Sequence, residues 1–177
     1  RGLLDACRGA EVLFNLAAEH RDDVRPRSLY DEVNVGGARN TCEVARKLGI
    51  ASIIFTSSVA VYGFAEDDAD ETSPINPFND YGRTKFEAEQ VFREWHSESD
   101  ERTLTIVRPT VVFGENNRGN VYNLLRQIAH GPFLMIGDGT NRKSMAYVEN
   151  VAAFLRHALS FESGYHLYNY IDKPDMD

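Results

Sequence analysis

The sequence has few cysteines and no long apolar run. Cys7 and Cys42 are its two cysteines among 177 residues, and both lie in helix-like segments. Two such residues make neither a disulfide framework nor a metal cluster. We therefore expect both to be reduced and to pack as small apolar side chains, which favours the cytoplasm. No apolar stretch reaches the roughly 18 residues of a membrane helix, so we expect no membrane partner.

Positive charge is also scarce. The chain carries 19 Lys and Arg against 27 Asp and Glu, which gives a formal net charge of −8. A negative field repels phosphate backbones, so the composition argues against a nucleic-acid partner. Much of the excess lies in one acidic run, Glu66 to Glu71, which we interpret as a solvated loop. The five histidines lack metal-ligand spacing, and we expect no metal site.

The chain does contain an alternation of apolar runs and helix-like segments. The apolar runs have the length and pattern of strands that are buried on both faces of a parallel sheet. This alternation predicts an α/β fold built on a doubly wound parallel sheet with right-handed crossovers. The strand-like runs are Val12 to Ala18, Ser52 to Ser58 and Leu104 to Arg108, and the helix-like segments are Ser28 to Leu48 and Tyr81 to His96.

The pattern divides the chain into two parts. We assign residues 1–114 to the sheet domain and residues 115–177, whose pattern is more mixed, to a smaller α/β module. The chain begins at Arg1 rather than at Met and finishes on a polar segment. We therefore expect a fragment of a longer protein, cut at both ends.

Three residues have the chemistry of a proton-transfer site. Tyr81 and Lys85 are four residues apart, so on a helix they lie on one face. A nearby cation lowers the pKa of a phenol, and Tyr81 could then exchange a proton with a substrate hydroxyl. Ser58 ends a predicted strand at the edge of the sheet where ligands gather in open α/β folds. Taken alone, the Tyr-x-x-x-Lys spacing is equally compatible with a solvated helix face.

Five sequence segments taken together indicate a protein family more specifically than this spacing does. They are Asn15 to Ala18, Asn34 to Asn40, Phe55 to Gly63, Tyr81 to Lys85 and Val107 to Gly114. In sequence, order and spacing they resemble the extended short-chain dehydrogenase/reductases and, within these, the NAD-dependent epimerase/dehydratase family that acts on nucleotide sugars. The resemblance implies a Rossmann-like fold. It also implies that the first βαβαβ half, with its glycine-rich phosphate loop, precedes this chain, so the Val12 to Ala18 strand would have an unpaired edge.

The resemblance assigns roles to individual residues. The implied catalytic set is Ser58, Tyr81 and Lys85, and the implied cofactor is NAD. The residues that would line NAD are Leu16, Ala17, Ala18, Glu19, His20, Asn34, Thr56, Ser57, Tyr81, Lys85 and Thr110. The residues that would contact the substrate, a nucleotide-diphosphate sugar, are Ser58, Asn120, Arg142 and Lys143.

Several positions depart from the family pattern. Lys143 stands where the family has a phosphate-binding Arg, and a Lys offers a point charge without the bidentate fork. Asn15 replaces a His, and Val111 stands where sugar epimerases have a substrate-binding Asn. Val59 and Ala60 occupy the positions where 4,6-dehydratases carry Asp-Glu. Because these two side chains cannot transfer protons, dehydration is disfavoured.

The sequence therefore predicts a nucleotide-sugar 4-epimerase that works by transient hydride transfer to bound NAD. Two alternatives stay open. One is a net NAD(P)-dependent reductase or dehydrogenase of a sugar or alcohol, because Tyr147 to Val151 also resembles the steroid-dehydrogenase branch. The other is an inactive fragment that lacks the phosphate-binding loop. The resemblance further implies a homodimer of the full-length protein, formed through Ser28 to Leu48 and Tyr81 to His96.

Overall fold

Helices and strands alternate along the chain, as the apolar pattern predicts. The computed structural model describes residues 2–21, 23–64, 68–117, 119–130 and 143–173. In chain order the elements are α1 (Gly2–Ala6), β1 (Val12–Asn15), α2 (Ser28–Tyr30), a π-helical segment (Asp31–Val35), α3 (Gly36–Leu48), β2 (Ser52–Thr56), a 3-10 helix (Val59–Tyr62), α4 (Asp80–His96), β3 (Thr103–Pro109), β4 (Val111–Phe113), α5 (Asn120–His130), β5 (Met145–Tyr147), α6 (Val148–His157), a second 3-10 helix (Ala158–Ser160) and β6 (Gly164–Tyr170).

The main sheet is parallel and has helices on both faces. Its strand order in the described part of the chain is β1, β2, β3, β6. Alternate residues of β2 and β3 enter two separate cores, since side chains alternate across a strand. Phe55 and Ile106 pack with α3 and α4 on one face, and Ile54 and Val107 pack with α6 on the other. The predicted α/β doubly wound fold is therefore confirmed.

The first long helical segment is less regular than predicted. Ser28 to Leu48 is helical throughout, but its second part, Asp31–Val35, is a π-helical segment. The helix ends at Gly49, which adopts the left-handed conformation (φ 69°) expected of a C-terminal cap. The π-helical segment contains Asn34, a buried polar residue that the sequence assigns to the site.

The start of α4 is packed tightly against the 3-10 helix that follows β2. Asn79 caps α4, because its side chain accepts a hydrogen bond from the Gly82 backbone N–H at 2.8 Å. A Cβ atom on Gly82 would lie 2.4 Å from the carbonyl oxygen of Ala60. Only a glycine permits this approach. The contact brings the first turn of α4 next to the end of β2.

The largest difference from the sequence-based prediction lies in β6. This strand falls within residues 115–177, which we assigned to a smaller module, yet it pairs with β3 of the main sheet from Thr103↔Gly164 to Pro109↔Tyr170. Its partly buried Tyr165 and Leu167 complete the core on the α4 side, which explains the pairing. A small parallel pair, β4 with β5, lies beside the main sheet. The division at residue 114 stays a prediction for the other elements.

Two further observations concern membrane-spanning helices and metal-ligand clusters. Among the described residues, no helix combines the length and the apolar character needed to cross a membrane. The same residues contain no group of three or more His, Cys, Asp or Glu side chains placed to hold a metal ion.

Candidate active site

Ser58 is held at the carboxyl end of β2. It follows the strand in an extended conformation (φ −162°, ψ 149°) and forms the N-cap of the 3-10 helix Val59–Tyr62. Its Oγ accepts a hydrogen bond from the Ala60 backbone N–H at 3.1 Å. This hydrogen bond, which is typical of a serine at a helix N-cap, fixes the direction of the hydroxyl group.

Tyr81 and Ser58 meet across this edge of the sheet. Tyr81 lies in the first turn of α4, and its phenol interacts with the Ser58 side chain. Burial raises the pKa of Tyr81 above its ordinary value, and the hydrogen bond with Ser58 opposes this shift. We expected Lys85 to lower the pKa of Tyr81, whereas the pKa of Tyr81 is raised.

Lys85 lies one turn along α4 and is almost completely buried, with 2% of its surface exposed. Its Nζ donates to the backbone carbonyl of Thr56 at 2.6 Å and lies 4.2 Å from the centre of the Phe55 ring. Burial lowers the pKa of Lys85 to about 7, while the negative charge of Glu89 acts in the opposite direction. Lys85 therefore loses its proton at a lower pH than Tyr81 does. The lysine is neutral by the time the phenol ionises, which explains why it does not lower the pKa of Tyr81.

Asn34 ties the segment after β1 to α4. Its Oδ1 accepts from the Glu19 N–H at 2.8 Å, and its Nδ2 donates to the Glu19 carbonyl at 3.1 Å and to Thr84 Oγ1 at 2.9 Å. The side-chain amide of Asn34 thus forms its hydrogen bonds within the protein. Asn34 positions residues 16–20 beside α4, and its role as a direct NAD ligand stays a prediction.

A buried ion pair lies directly beneath these residues. Glu89 and Arg108 form two hydrogen bonds, Nε to Oε1 at 2.9 Å and Nη2 to Oε2 at 2.5 Å. The Ser57 hydroxyl donates to the same carboxylate at 2.5 Å. The Ser57 side chain therefore points into the protein rather than towards the predicted cofactor. Sequence reasoning missed Glu89 and Arg108, although one is four residues after Lys85 and the other interrupts an apolar strand.

Comparison with known proteins decides the family. The family model described as "NAD dependent epimerase/dehydratase family" matches residues 3–170. This chain belongs to that family. The resemblance inferred from the sequence is therefore confirmed, and α4 and the strand ends described above belong to an epimerase/dehydratase domain.

Two curated relatives illustrate the range of this family. The chain is 55% identical to the N-acetyl-alpha-D-glucosaminyl-diphospho-ditrans,octacis-undecaprenol 4-epimerase of Escherichia coli O157:H7, over 100% of this chain and 54% of the relative. It is 35% identical to a decarboxylating sterol-4-alpha-carboxylate 3-dehydrogenase of Saccharomyces cerevisiae, over 70% of this chain and 37% of the relative. The chain thus spans about half the length, or less, of these relatives.

Solved structures share the fold. MoeE5 in complex with UDP-glucose and NAD superposes with a TM-score of 0.87 at 24% identity, over 99% of this chain and 61% of that chain. The UDP-glucuronic acid 4-epimerase of Bacillus cereus, in complex with UDP-glucuronic acid and NAD, gives a TM-score of 0.85 at 21% identity, over 99% and 58%. At these identities the likeness concerns the fold.

The residues present fit the NAD that the family description names. Thr56 Oγ1 and Thr110 Oγ1 are buried at the carboxyl ends of β2 and β3 and have no hydrogen-bond partner within the described ranges. Burial of a hydroxyl group without a hydrogen-bond partner costs free energy. A polar ligand bound at this edge of the sheet would supply the missing hydrogen bond. Lys85, Tyr81 and Ser58 supply further donors at the same edge. By the family resemblance, Lys85 would hold the nicotinamide ribose.

The remaining predicted site residues lie on the segment after β1, in or before other elements, or outside the description. Leu16 is 57% exposed on the segment after β1, next to Ala17, Ala18, Glu19 and His20. Asn120 begins α5, but its side chain lies outside what the structure describes. Lys143 is exposed two residues before β5. Arg142 and residues 66–67 of the acidic run lie outside the described residues, so their predicted roles stay predictions.

Proposed function

We propose that the full-length enzyme that contains this chain is an NAD-dependent 4-epimerase of a diphosphate-linked sugar. The observation that carries the proposal is the placement of Tyr81, in the first turn of α4, beside Ser58 at the end of β2, with the buried Lys85 one helical turn from Tyr81. The similarity to a relative named as a 4-epimerase, at 55% identity, supports the same activity.

The reaction needs one proton transfer at oxygen 4 and one hydride transfer at carbon 4, each made and then reversed. Bound NAD supplies the hydride chemistry, so that no net oxidation results. Ser58, whose Oγ is directed by its cap, hydrogen-bonds the sugar hydroxyl. Tyr81 accepts the hydroxyl proton and later returns it. Rotation of the keto sugar between the two steps exposes its other face and inverts carbon 4.

Lys85 contributes to both position and charge. Its hydrogen bond to the Thr56 carbonyl holds α4 against the end of β2, where Ser58 follows. With a pKa of about 7, Lys85 exists in both charge states near neutral pH. The charge of Lys85 would favour the phenolate of Tyr81, the basic form that the reaction requires, only where the bound anionic cofactor keeps the ammonium protonated.

The neighbours of Ser58 argue against water elimination. Val59 and Ala60 form the first turn of the 3-10 helix after Ser58, and neither side chain carries a titratable group. A dehydratase needs an acid and a base at this end of the strand. The site therefore supports epimerisation over dehydration.

The substrate is proposed as a sugar joined through its anomeric oxygen to a diphosphate. The sequence predicts a nucleotide as the carrier of this diphosphate, whereas the 55% identical relative carries undecaprenol in its name. Both carriers present the same sugar and diphosphate to the site. Assays with UDP-N-acetylglucosamine and with polyprenyl-diphosphate N-acetylglucosamine, run in parallel on one preparation, distinguish the two carriers.

Replacement of Tyr81 by Phe tests the proposal. Removal of the phenol hydroxyl should lower the rate of carbon-4 inversion by about 10²–10⁴-fold in the full-length enzyme, because it removes the proton-transfer group. Tyr168→Phe is the matched control, since Tyr168 is 36% exposed on β6 and should be dispensable. Near-normal epimerisation by Tyr81→Phe would refute the assignment.

A second function is favoured by one comparison, the similarity to a sterol dehydrogenase at 35% identity. A net dehydrogenase uses the same Ser, Tyr and Lys but releases reduced cofactor. Formation of one NADH for each substrate consumed would show that function, whereas an epimerase accumulates none. The same assay on residues 1–177 alone tests the third possibility, a chain that is inactive without the residues that its relatives possess.

We also propose that the full-length enzyme is a homodimer. The family resemblance implies an interface through α3 and α4, and these two helices pack side by side with an open groove between Arg39, Cys42 and Val91. A second copy would bury this groove. A monomeric sedimentation profile of the full-length enzyme at micromolar concentration would contradict the proposal.

A further inference from the structure

A network of buried polar groups lies behind the catalytic residues and is not used by the proposed reaction. Its centre is the ion pair of Glu89 and Arg108, whose side chains are 0% and 3% exposed. Burial of two charges costs free energy, and apolar side chains of similar size would often be as stable or more so. Fold stability by itself therefore gives a weak reason for this pair.

The network reaches each segment that carries the site. Glu89 lies one turn after Lys85 on the same face of α4, and it accepts the hydroxyl hydrogen bond of Ser57. Ser57 is also held through its backbone N–H, which donates to the Val107 carbonyl at 2.7 Å. The residue next to Ser57 is the catalytic Ser58. The carboxylate thus joins the catalytic helix to the end of β2.

Arg108 extends the network to the opposite side. Its Nη1 donates to the Tyr62 hydroxyl at 2.6 Å, and that hydroxyl donates to Asn169 Oδ1 at 2.8 Å. Tyr62 ends the 3-10 helix that Ser58 caps, and Asn169 lies on β6. Arg108 itself is followed by Pro109 and Thr110, which border the proposed cofactor site. One guanidinium group therefore connects β3, β6 and the 3-10 helix.

The directions of these bonds leave few alternatives for the side chains. Arg108 can only donate and the ionised Glu89 can only accept, so Ser57 and Tyr62 have their hydroxyl protons assigned by their partners. Charge-assisted bonds of this kind are short and strongly directional. The two ends of the 3-10 helix and its cap are consequently held in one arrangement relative to Tyr81.

We propose that Glu89 and Arg108 are positioning residues, which hold the Ser57–Ser58 strand end and the Tyr81 helix at the separation that proton transfer needs. This inference rests on the proposed function. Neither residue contacts the reacting atoms in this role, and both act through Ser57 and Tyr62. The pair should therefore govern the catalytic step and leave substrate affinity nearly unchanged.

The decisive experiment removes both charges together in the full-length enzyme. Glu89→Met combined with Arg108→Met removes both charges of the pair, and the neighbouring Lys85, whose pKa is about 7, can lose its proton, so the fold should persist. The expected result is a thermal midpoint close to that of the wild type with kcat lowered by about 100-fold, as for a small misplacement of reacting groups, and an unchanged KM. The matched control is Asp5→Met with Arg8→Met, an exposed pair at 3.2 Å near α1, which should leave kcat unaltered.

A thermodynamic cycle separates positioning from general structural damage. If the pair acts through Ser58 and Tyr81, the double substitution should cost much less activity in a Ser58→Ala background, because coupled residues have non-additive effects. Equal losses in both backgrounds, or a folded double variant with wild-type kcat, would overturn the inference. If the double variant does not fold, Tyr62→Phe decides, with lowered kcat at unchanged KM in support and unchanged kcat against.

Wild-type enzyme and Tyr81→Phe, assayed in the same series, separate this inference from the proposed function. If the wild type epimerises and Tyr81→Phe does not, the proposed function holds and the Glu89 and Arg108 variants test the inference alone. Absence of epimerisation by the wild type overturns both.

Discussion

At the scale of single residues, burial has a larger effect on the site than the charges that line it. Lys85 and Tyr81 are both shifted towards their neutral forms, since the pKa of the lysine is lowered and that of the phenol is raised. The causes are the same in both cases, loss of contact with water. A hydrogen bond with Ser58 and the charge of Glu89 offset part of this effect. Burial thus favours the uncharged forms of both acid–base groups.

Lys85 should make the stability of the cofactor-free protein depend on pH. Its pKa of about 7 in the folded state lies below the ordinary 10.5, so the unfolded chain binds more protons between these values. The free energy of unfolding should therefore rise with pH above 7, by up to about 1.4 kcal/mol per pH unit for one proton. Above about pH 9 the buried Cys42, whose pKa is raised to about 12, acts in the opposite sense.

The substitution Lys85→Met isolates this effect. It should stabilise the protein at pH 7 and remove the rise in stability between pH 7 and pH 9, as measured by urea denaturation of the apo protein. Lys47→Met, at an exposed position of α3, is the matched control and should keep the wild-type slope. An identical pH dependence in Lys85→Met and the wild type would show that the buried ammonium is not the cause.

At the scale of elements, the site depends on one close contact between α4 and the 3-10 helix. The contact exists because Gly82 has no side chain where the Ala60 carbonyl approaches. Asn79 fixes the first turn of α4 at the same place. The distance between the phenol of Tyr81 and the hydroxyl of Ser58 is therefore set by backbone packing as much as by the hydrogen bond that joins them.

Gly82→Ala should separate the two elements. The added Cβ would meet the Ala60 carbonyl at 2.4 Å and the Pro77 Cβ at 3.0 Å, so the backbone must shift. The expected cost is about 1–3 kcal/mol of stability, together with a loss of turnover. Gly37→Ala is the control, since nothing lies within 4 Å of a Cβ there and α3 should gain about 0.5–1 kcal/mol. Unfolding curves and turnover numbers of the two variants test this contrast.

At the scale of the whole molecule, the described sheet has two edges of different kinds. β6 is a long edge strand flanked by aromatic side chains, whereas β1 has four residues and pairs with β2 alone. This position confirms that Val12 to Asn15 lies at an edge, although the strand is shorter than the predicted Val12 to Ala18. Phe14 in β1 is 43% exposed. An apolar strand with an open edge is a template for pairing with another chain.

The isolated 177-residue chain should therefore self-associate through β1. Phe14→Lys places a charge on this strand and should shift the sedimentation profile towards the monomer. Leu159→Lys adds the same charge at a residue that is 49% exposed in the second 3-10 helix, away from the edge, and should have no such effect. A monomeric wild-type chain at high micromolar concentration would show that the edge is protected.

The sequence alone determined the order of the elements and the family, and it predicted the catalytic set. Apolar runs and helical spacing are local properties, so strands such as Ser52–Thr56 and helices such as Asp80–His96 were predictable within a few residues. The spacing of Tyr81 and Lys85 likewise predicts a shared helix face. The segment Phe55 to Gly63 added the position of Ser58.

The tertiary structure decided which buried groups surround that set. The partners of Arg108 are 19 and 46 residues away in the chain, and Asn34 reaches Thr84 across 50 residues. No local pattern encodes such contacts, because they arise when separate elements pack. The depressed pKa of Lys85 and the pairing of β6 with β3 have the same origin. Sequence spacing predicted the reactive side chains, and only packing determined their surroundings, the shifts of their pKa values and the groups that hold them in place.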